Sequence, residues 1–240
     1  EKLGCILVLS DAAHSVGAAL NGKKTGMLTD ITVFSFHAVK NLTTAEGGAI
    51  CLNLPAPFSN QDIYNYLCIK SLHGQTKDAL AKSQAGNWKY DVIEPGYKYN
   101  MTDIQAAMGI VELERYDDDM IPRRKAIFDR YSHAFSGKPW AIVPPYEDPS
   151  RHSSYHVYLL RVKGIGEEQR DRIISRIFSR GVSVNVHFIP LPLLSFYKNE
   201  GYRIGDYPVS HDSFSRVISL PVYYDLTDAQ VDEEIGRAHV

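Results

Sequence analysis

Three short apolar runs in the first quarter of the chain each break off into polar residues, and this pattern restricts the fold more than any other feature. ILVL (6–9) gives way to Ser10-Asp11, ITVFSF (31–36) to His37, and AICL (49–52) to Asn53. A continuous apolar run of this length that ends in polar residues predicts a parallel strand covered on both faces, with its polar chemistry beginning at the carboxyl end. Between and after the runs come helical patterns. DIYNYLCIKSLHG (62–74) places Ile63, Tyr66 and Leu67 on one face and stops at Gly74. Alternating strands and helices predict an α/β sheet.

The character then changes. Thr102 and Gln105 have the spacing of a capping box, and Ile104, Ala107, Met108 and Val111 follow at helical intervals. A further helical pattern starts at Pro122 and continues through Ile127, Phe128, Tyr131, Ala134 and Phe135, as a connector would. KPWAIVPPYEDPSRHSS (138–154) has the loop chemistry of a domain boundary. Beyond it YHVYLLRV (155–162) reads as a strand, EEQRDRIISRIFSRG (167–181) as a helix with acids at its start and bases at its end, and VSVNVHF (182–188) as another strand. The expected organisation is residues 1–120 as part of a large domain with a mostly parallel, incomplete sheet, and residues 121–240 as the connector helix and a small α+β domain.

Charge and cysteine usage exclude several functions. Twenty-six Lys and Arg against twenty-eight Asp and Glu leave a net charge of −2, so no field favours nucleic acid or an anionic membrane, and the partners are expected to be small molecules or protein. The three cysteines, Cys5, Cys51 and Cys68, lie in apolar surroundings without a CxxC pair, as reduced thiols of a cytoplasmic protein do. His152 and His156 are four apart but fall on a loop and a strand, so no metal site is expected.

The sharpest chemistry is in FSFHAVKNLTTAEGG (34–48). Ligands of open α/β sheets bind beyond the carboxyl ends of the strands, which makes Asp11 and Lys40 candidates for one crevice. Alternation puts Ile31, Val33 and Ser35 on one face of their strand, with Ser35 last in its row. A neutral amine there can condense with a carbonyl to a Schiff base, and an aspartate beneath a pyridine nitrogen makes the ring an electron sink, the arrangement of pyridoxal phosphate. Gly47-Gly48 admits backbone where a side chain would not fit. By pattern alone, Lys40 reads equally as a solvated residue beside a turn, Asp11 and His14 as caps, Glu46-Gly47-Gly48 as a turn into a strand, and Asn100 as a residue of an N-cap region.

DAAHSVGA (11–18), FSFHAVKNLTTAEGGAI (34–50), LHG (72–74), GYKYNMTDIQAAMG (96–109) and VNVHFIPL (184–191), followed by SLPVYYDLT (219–227), together resemble the DegT/DnrJ/EryC1/StrS family of sugar aminotransferases, in order and across nearly the whole chain. The resemblance implies the aspartate-aminotransferase-like fold, fold type I, with pyridoxal 5'-phosphate as cofactor. Lys40 would carry the cofactor as a Schiff base, Asp11 would pair with the pyridine nitrogen, His14 would lie against the ring, and Ser35 would hold the phosphate. Asn100 would reach the cofactor of the other subunit of a homodimer with shared sites, and His187 would face the nucleotide sugar. SFHAVKN and GYKYN are most similar to the branch that aminates C4 of UDP-linked 4-keto sugars, with glutamate as donor in a ping-pong transamination.

Rival readings are a 3-dehydratase of the same family, whose members carry histidine where Lys40 stands, a noncatalytic sugar-nucleotide-binding module, and a lysine-dependent aldolase. Family members begin well before LVLSDAAH, and the closing EIGRAHV resembles a translated sequencing adapter. The expectation is therefore a chain shortened at both ends, without the glycine-rich helix start that cups a phosphate, and binding the cofactor weakly or folding incompletely when alone.

Overall fold

A computed structural model of the protein describes residues 6–76 and 88–238. Cys5, His239 and Val240 lie outside them. The chain forms two compact units, Glu1–Tyr116 and Asp117–Val240.

In the first unit, β1 (Leu9–Asp11) pairs in parallel with β4 (Ile31–Ser35), and β4 pairs with β5 (Gly48–Leu52), in the order β1-β4-β5. The second pairing is antiparallel, so AICLN is not a further parallel strand: the chain leaves β4, turns within the Lys40 segment and comes straight back. Nor are the apolar runs covered on both faces, since Ile6 is 77% exposed, Leu9 62% and Ile50 49%. Between β1 and β4 lies a small hairpin, β2 (Ala19–Leu20) and β3 (Lys23–Lys24), turned by Asn21 and Gly22 at φ of 51° and 75°. Asn-Gly is the pair such a turn requires, because both central residues need positive φ.

Helix α1 (Asn60–Ser71) is capped by Ser59, whose side chain accepts from the Asp62 amide. It closes at Gly74 (φ 74°), whose N–H donates to the Ile69 carbonyl at 2.9 Å. Helix α2 (Asp103–Glu114) begins with the capping box of Thr102 and Gln105 that its sequence predicts. Its apolar positions Ile104, Met108 and Val111 are exposed.

The second unit is built on an antiparallel sheet in the order β10-β9-β6, from β6 (Ala141–Ile142), β9 (Tyr158–Val162) and β10 (Val217–Leu220). The 138–154 stretch, expected to be all loop, contributes β6 and a hairpin of β7 (Glu147–Asp148) with β8 (Arg151–His152). VSVNVHF forms no extended strand; it meets the sheet through one bridge, Asn185 to Ser219, while Val182 and Val184 are buried. The other long strand of this sheet is β10, whose last two residues begin the SLPV stretch.

Helix α3 (Ile121–Phe135) runs through the core: Ile127, Phe128, Tyr131 and Phe135 are buried with Tyr158, Leu160, Ile218 and Leu220 of the sheet. The Phe128 ring meets Tyr146, Tyr155 and Tyr158 edge to face at 5.4, 5.4 and 5.1 Å, the geometry that aromatic quadrupoles favour. Helices α4 (Glu167–Ser179), α5 (Ser195–Asn199), α6 (Pro208–Arg216) and α7 (Asp228–Ala238) complete the unit. No helix among the described residues is long and apolar enough to cross a membrane. Cys51 and Cys68 are free thiols.

Candidate active site

The first unit collects its chemistry at one edge of its sheet. β1 and β4 run in parallel, so Asp11 and Ser35 both end at the carboxyl edge, with Asp11 in register with Val33 and Ser35 two residues further along. The Ala12 amide donates to the Val33 carbonyl at 2.8 Å, which fixes the step out of β1, and the Asp11 carboxylate accepts from the Ala13 amide at 3.1 Å. Residues 12–18 then form turns rather than a helix, so His14 caps no helix; it lies half-buried in the first of them.

Lys40 is held in the loop between β4 and β5. Its amide donates to the His37 carbonyl at 2.9 Å, and the Phe36 carbonyl accepts from the Thr44 amide at 2.9 Å and the Thr43 hydroxyl at 3.2 Å. The buried Thr44 hydroxyl donates to the Glu46 carbonyl at 2.8 Å, and the Phe36 amide donates to the Gly47 carbonyl at 2.9 Å. Lys40 is half-buried, and among the described residues its ammonium has no carboxylate partner. His37 stands 3.7 Å from Glu46 across the same loop.

The two glycines are required by close approach. A Cβ on Gly47 (φ 149°) would fall 2.6 Å from Thr44 Oγ1 and 2.8 Å from Met101 Cε, and one on Gly48 would fall 2.6 Å from the Phe34 carbonyl oxygen. The Glu46 carbonyl also accepts from Gln105 Nε2 at 2.9 Å, which ties the loop to the capping residue of α2.

Asn100 belongs to a second cluster, in which LHG and GYKYN lie side by side. The Tyr97 and Tyr99 amides donate to the Lys70 and Ser71 carbonyls at 2.7 and 2.8 Å, and the His73 amide donates to the Tyr97 carbonyl at 2.8 Å. Gly74 and Gly96 make this contact possible, since a Cβ on either would overlap backbone. The Asn100 side chain accepts from Lys98 Nζ. His187 is in the second unit, with Nδ1 2.8 Å from Ser219 Oγ. The structure thus brings Asp11, Ser35 and the Lys40 loop to one edge, and gives Asn100 and His187 their partners elsewhere.

Two supports escaped the pattern reading. Thr44 looks like any loop threonine, and Tyr116, whose hydroxyl donates to the Val16 carbonyl at 2.9 Å, is a hundred residues from the turn it fixes. No local signal marks either.

An open α/β unit with an acid, a hydroxyl and an amine at the carboxyl edge of its sheet, followed by a unit with a small antiparallel sheet, defines the class of the fold type I pyridoxal-phosphate proteins. The chain belongs to the DegT/DnrJ/EryC1/StrS aminotransferase family, whose family model matches residues 4–237. It is 39% identical over 235 residues to the uncharacterized protein MJ1066 of Methanocaldococcus jannaschii and 37% over 234 residues to the spore coat polysaccharide biosynthesis protein SpsC of Bacillus subtilis. In both cases the match covers 96% of this chain and 58% of the relative. The putative sugar aminotransferase Spr1654 from Streptococcus pneumoniae, solved in PMP form, superposes with a TM-score of 0.90 at 43% identity, covering 97% of this chain and 58% of that one. The same protein is also solved in PLP form. The chain therefore spans a little over half the length of these relatives.

The donor set fits the family's cofactor. A carboxylate suits a pyridinium nitrogen, a hydroxyl suits a phosphate oxygen, and an amine with no ion-pair partner suits a carbonyl carbon.

Proposed function

We propose that this chain carries the lysine-bearing part of a pyridoxal-phosphate-dependent aminotransferase that moves an amino group from glutamate to a nucleotide-linked keto sugar, at C4 of a UDP-4-keto sugar, for surface polysaccharide precursors. The observation that carries the reading is the shared carboxyl edge: Asp11 and Ser35 end adjacent parallel strands, and the half-buried Lys40 lies in the loop that follows the second. The PLP and PMP forms of Spr1654 support the cofactor, and the name of SpsC supports the polysaccharide role.

When bound, the cofactor supplies the electron sink and stores the amino group between the two half-reactions. Lys40 Nζ would hold the cofactor and, as a free amine, would carry the proton between the substrate carbon that bears the amine and C4' of the cofactor. The Asp11 carboxylate keeps the ring nitrogen protonated. Ser35 would donate its hydroxyl to the phosphate, and His14 would lie against the ring. Asn100 serves the phosphate of the second subunit of a homodimer, and His187 faces the sugar nucleotide.

The test is borohydride reduction with excess pyridoxal phosphate, followed by peptide mass spectrometry. The expected result is a pyridoxyl-phosphate label on the Lys40 peptide of the full chain and none on Lys40→Ala. A label spread over surface lysines, unchanged by Lys40→Ala, overturns the reading.

A further inference from the structure

The face of the β10-β9-β6 sheet that points away from the core closes over a cavity of about 320 Å³. Tyr158 and Leu160 of β9 face the core, so Leu159 and Arg161 face this cavity, as a strand's alternation demands. Across from them, α6 brings Ser210, Ser213 and Phe214 to the lining, and the 185–190 segment brings His187.

The permanently charged side chain among the lining residues is Arg161. Arg161 is half-buried and its guanidinium has no ion pair or hydrogen bond among the described residues. No carboxylate is present in the lining. Neighbouring arginines are occupied by the protein: Arg170 donates to the Phe214 carbonyl at 2.7 Å and to Asp171 at 2.6 Å, and Arg216 pairs with Asp212. A cation drawn from water with no counter-ion is unfavourable, and an incoming anion relieves it. Ser210 and Ser213, three apart and so on one face of α6, also have side chains without protein partners among the described residues. Ser210 lies in the first turn of α6, where the helix dipole adds positive potential.

A carboxylate offers two acceptor oxygens. A guanidinium fork and two hydroxyls offer more donors than that, and match the tetrahedral oxygens of phosphate. The wall is stiff, because the buried Arg170 holds α6 both through the Phe214 carbonyl and by lying 4.8 Å from the Phe214 ring centroid. We propose that Arg161, Ser210 and Ser213 form the receptor for the diphosphate of a nucleotide-linked sugar, placed beside His187. For the identity of its ligand this rests on the reading of the chain as a sugar aminotransferase.

The test is calorimetric titration of the full chain with UDP-N-acetylglucosamine, with uridine and glutamate as controls. Saturable binding of the UDP-sugar is expected, weakened roughly tenfold to a hundredfold by Arg161→Gln and by Ser213→Asp, with a smaller loss in Arg161→Lys. Arg180→Gln, at an exposed arginine without an ion pair among the described residues, leaves it unchanged, and any response to uridine or glutamate is the same in all variants. Ser213→Asp keeps Arg161 and sets a carboxylate on the cavity wall, so it reads the charge even where Arg161→Gln fails to fold. Binding that survives both Arg161→Gln and Ser213→Asp, or no saturable binding by the parent chain, overturns the proposal. Cofactor labelling of Lys40 is expected to persist in both variants. If Lys40 is not labelled while UDP-sugar binding still depends on Arg161, the aminotransferase reading falls and the receptor stands.

Discussion

His187 Nδ1 stands 2.8 Å from Ser219 Oγ, and the backbones behind them are joined as well: the Asn185 amide donates to the Ser219 carbonyl at 3.1 Å and the Ser219 amide to the Asn185 carbonyl at 2.7 Å. The segment that carries His187 is thus fastened to β10 at a buried residue. Ser219→Ala removes one side-chain hydrogen bond and leaves the backbone pair. The expected loss is about 1 kcal/mol in urea denaturation, with an unchanged dependence on denaturant.

Arg124 is a buried cation on the core face of α3 that carries a larger structural role than any surface ion pair. Its Nε donates to the Tyr155 carbonyl at 3.1 Å, and its Nη2 to the His156 and Val222 carbonyls at 3.2 Å each. Arg124→Met keeps much of the volume and strips the donors from those carbonyls. Unfolding is expected to become easier by roughly 3 kcal/mol or more, against less than about 1 kcal/mol for breaking the exposed Arg172–Glu168 pair.

Glu234 gives the protein a stability component that runs opposite to the usual acid behaviour. Burial raises its pKa, and the hydroxyl of Tyr131, which donates to it, offsets this only in part. The folded state therefore holds the Glu234 proton more tightly than the unfolded chain does. Stability from this residue is present at and below the ordinary carboxylate range and is lost as pH climbs through the raised value. Asp228 and Asp232, held down by hydrogen bonds from Arg123 and Arg130, act in the other direction and weaken the fold as pH falls. Glu234→Gln isolates the first effect: relative to the parent, its melting temperature should gain as pH rises from about 4 to about 8. A difference that stays flat over that interval contradicts the assignment.

Gly48→Ala tests the base of the lysine loop. The added methyl would meet the Phe34 carbonyl oxygen at 2.6 Å, and the obstacle is backbone rather than a movable side chain. Destabilisation of about 1–3 kcal/mol is expected from the strain, together with reduced labelling of Lys40 by the cofactor.

What could be read from the sequence was whatever a local pattern specifies. The Thr102–Gln105 capping box, the glycine stop at Gly74 and the long helix around Ile127–Tyr131 follow from spacing within a few residues, and the structure has them. The direction of β5 does not follow from spacing, because an apolar run looks the same whichever way its neighbour points. VSVNVHF has the composition of a strand, yet it pairs only at Asn185, since its valines are buried without a continuous partner. The Asn21-Gly22 pair marks its hairpin by residue type alone. For the site, alternation put Ser35 at its strand end and the crevice rule put Asp11 beside it, but the special role of Lys40 was carried by family resemblance and not by its spacing.

The antiparallel return of β5 has one more effect. Ser35 and Gly48 face each other across the ladder, so the loop that bears Lys40 is pinched shut at its neck, and the inner bonds from Thr43 and Thr44 shorten its free span further. Most of the conformational entropy of that loop is surrendered when the sheet forms, before any ligand arrives. An amine delivered on so short a tether is preorganised, and capture of a small carbonyl compound need not also freeze a wandering strand of backbone.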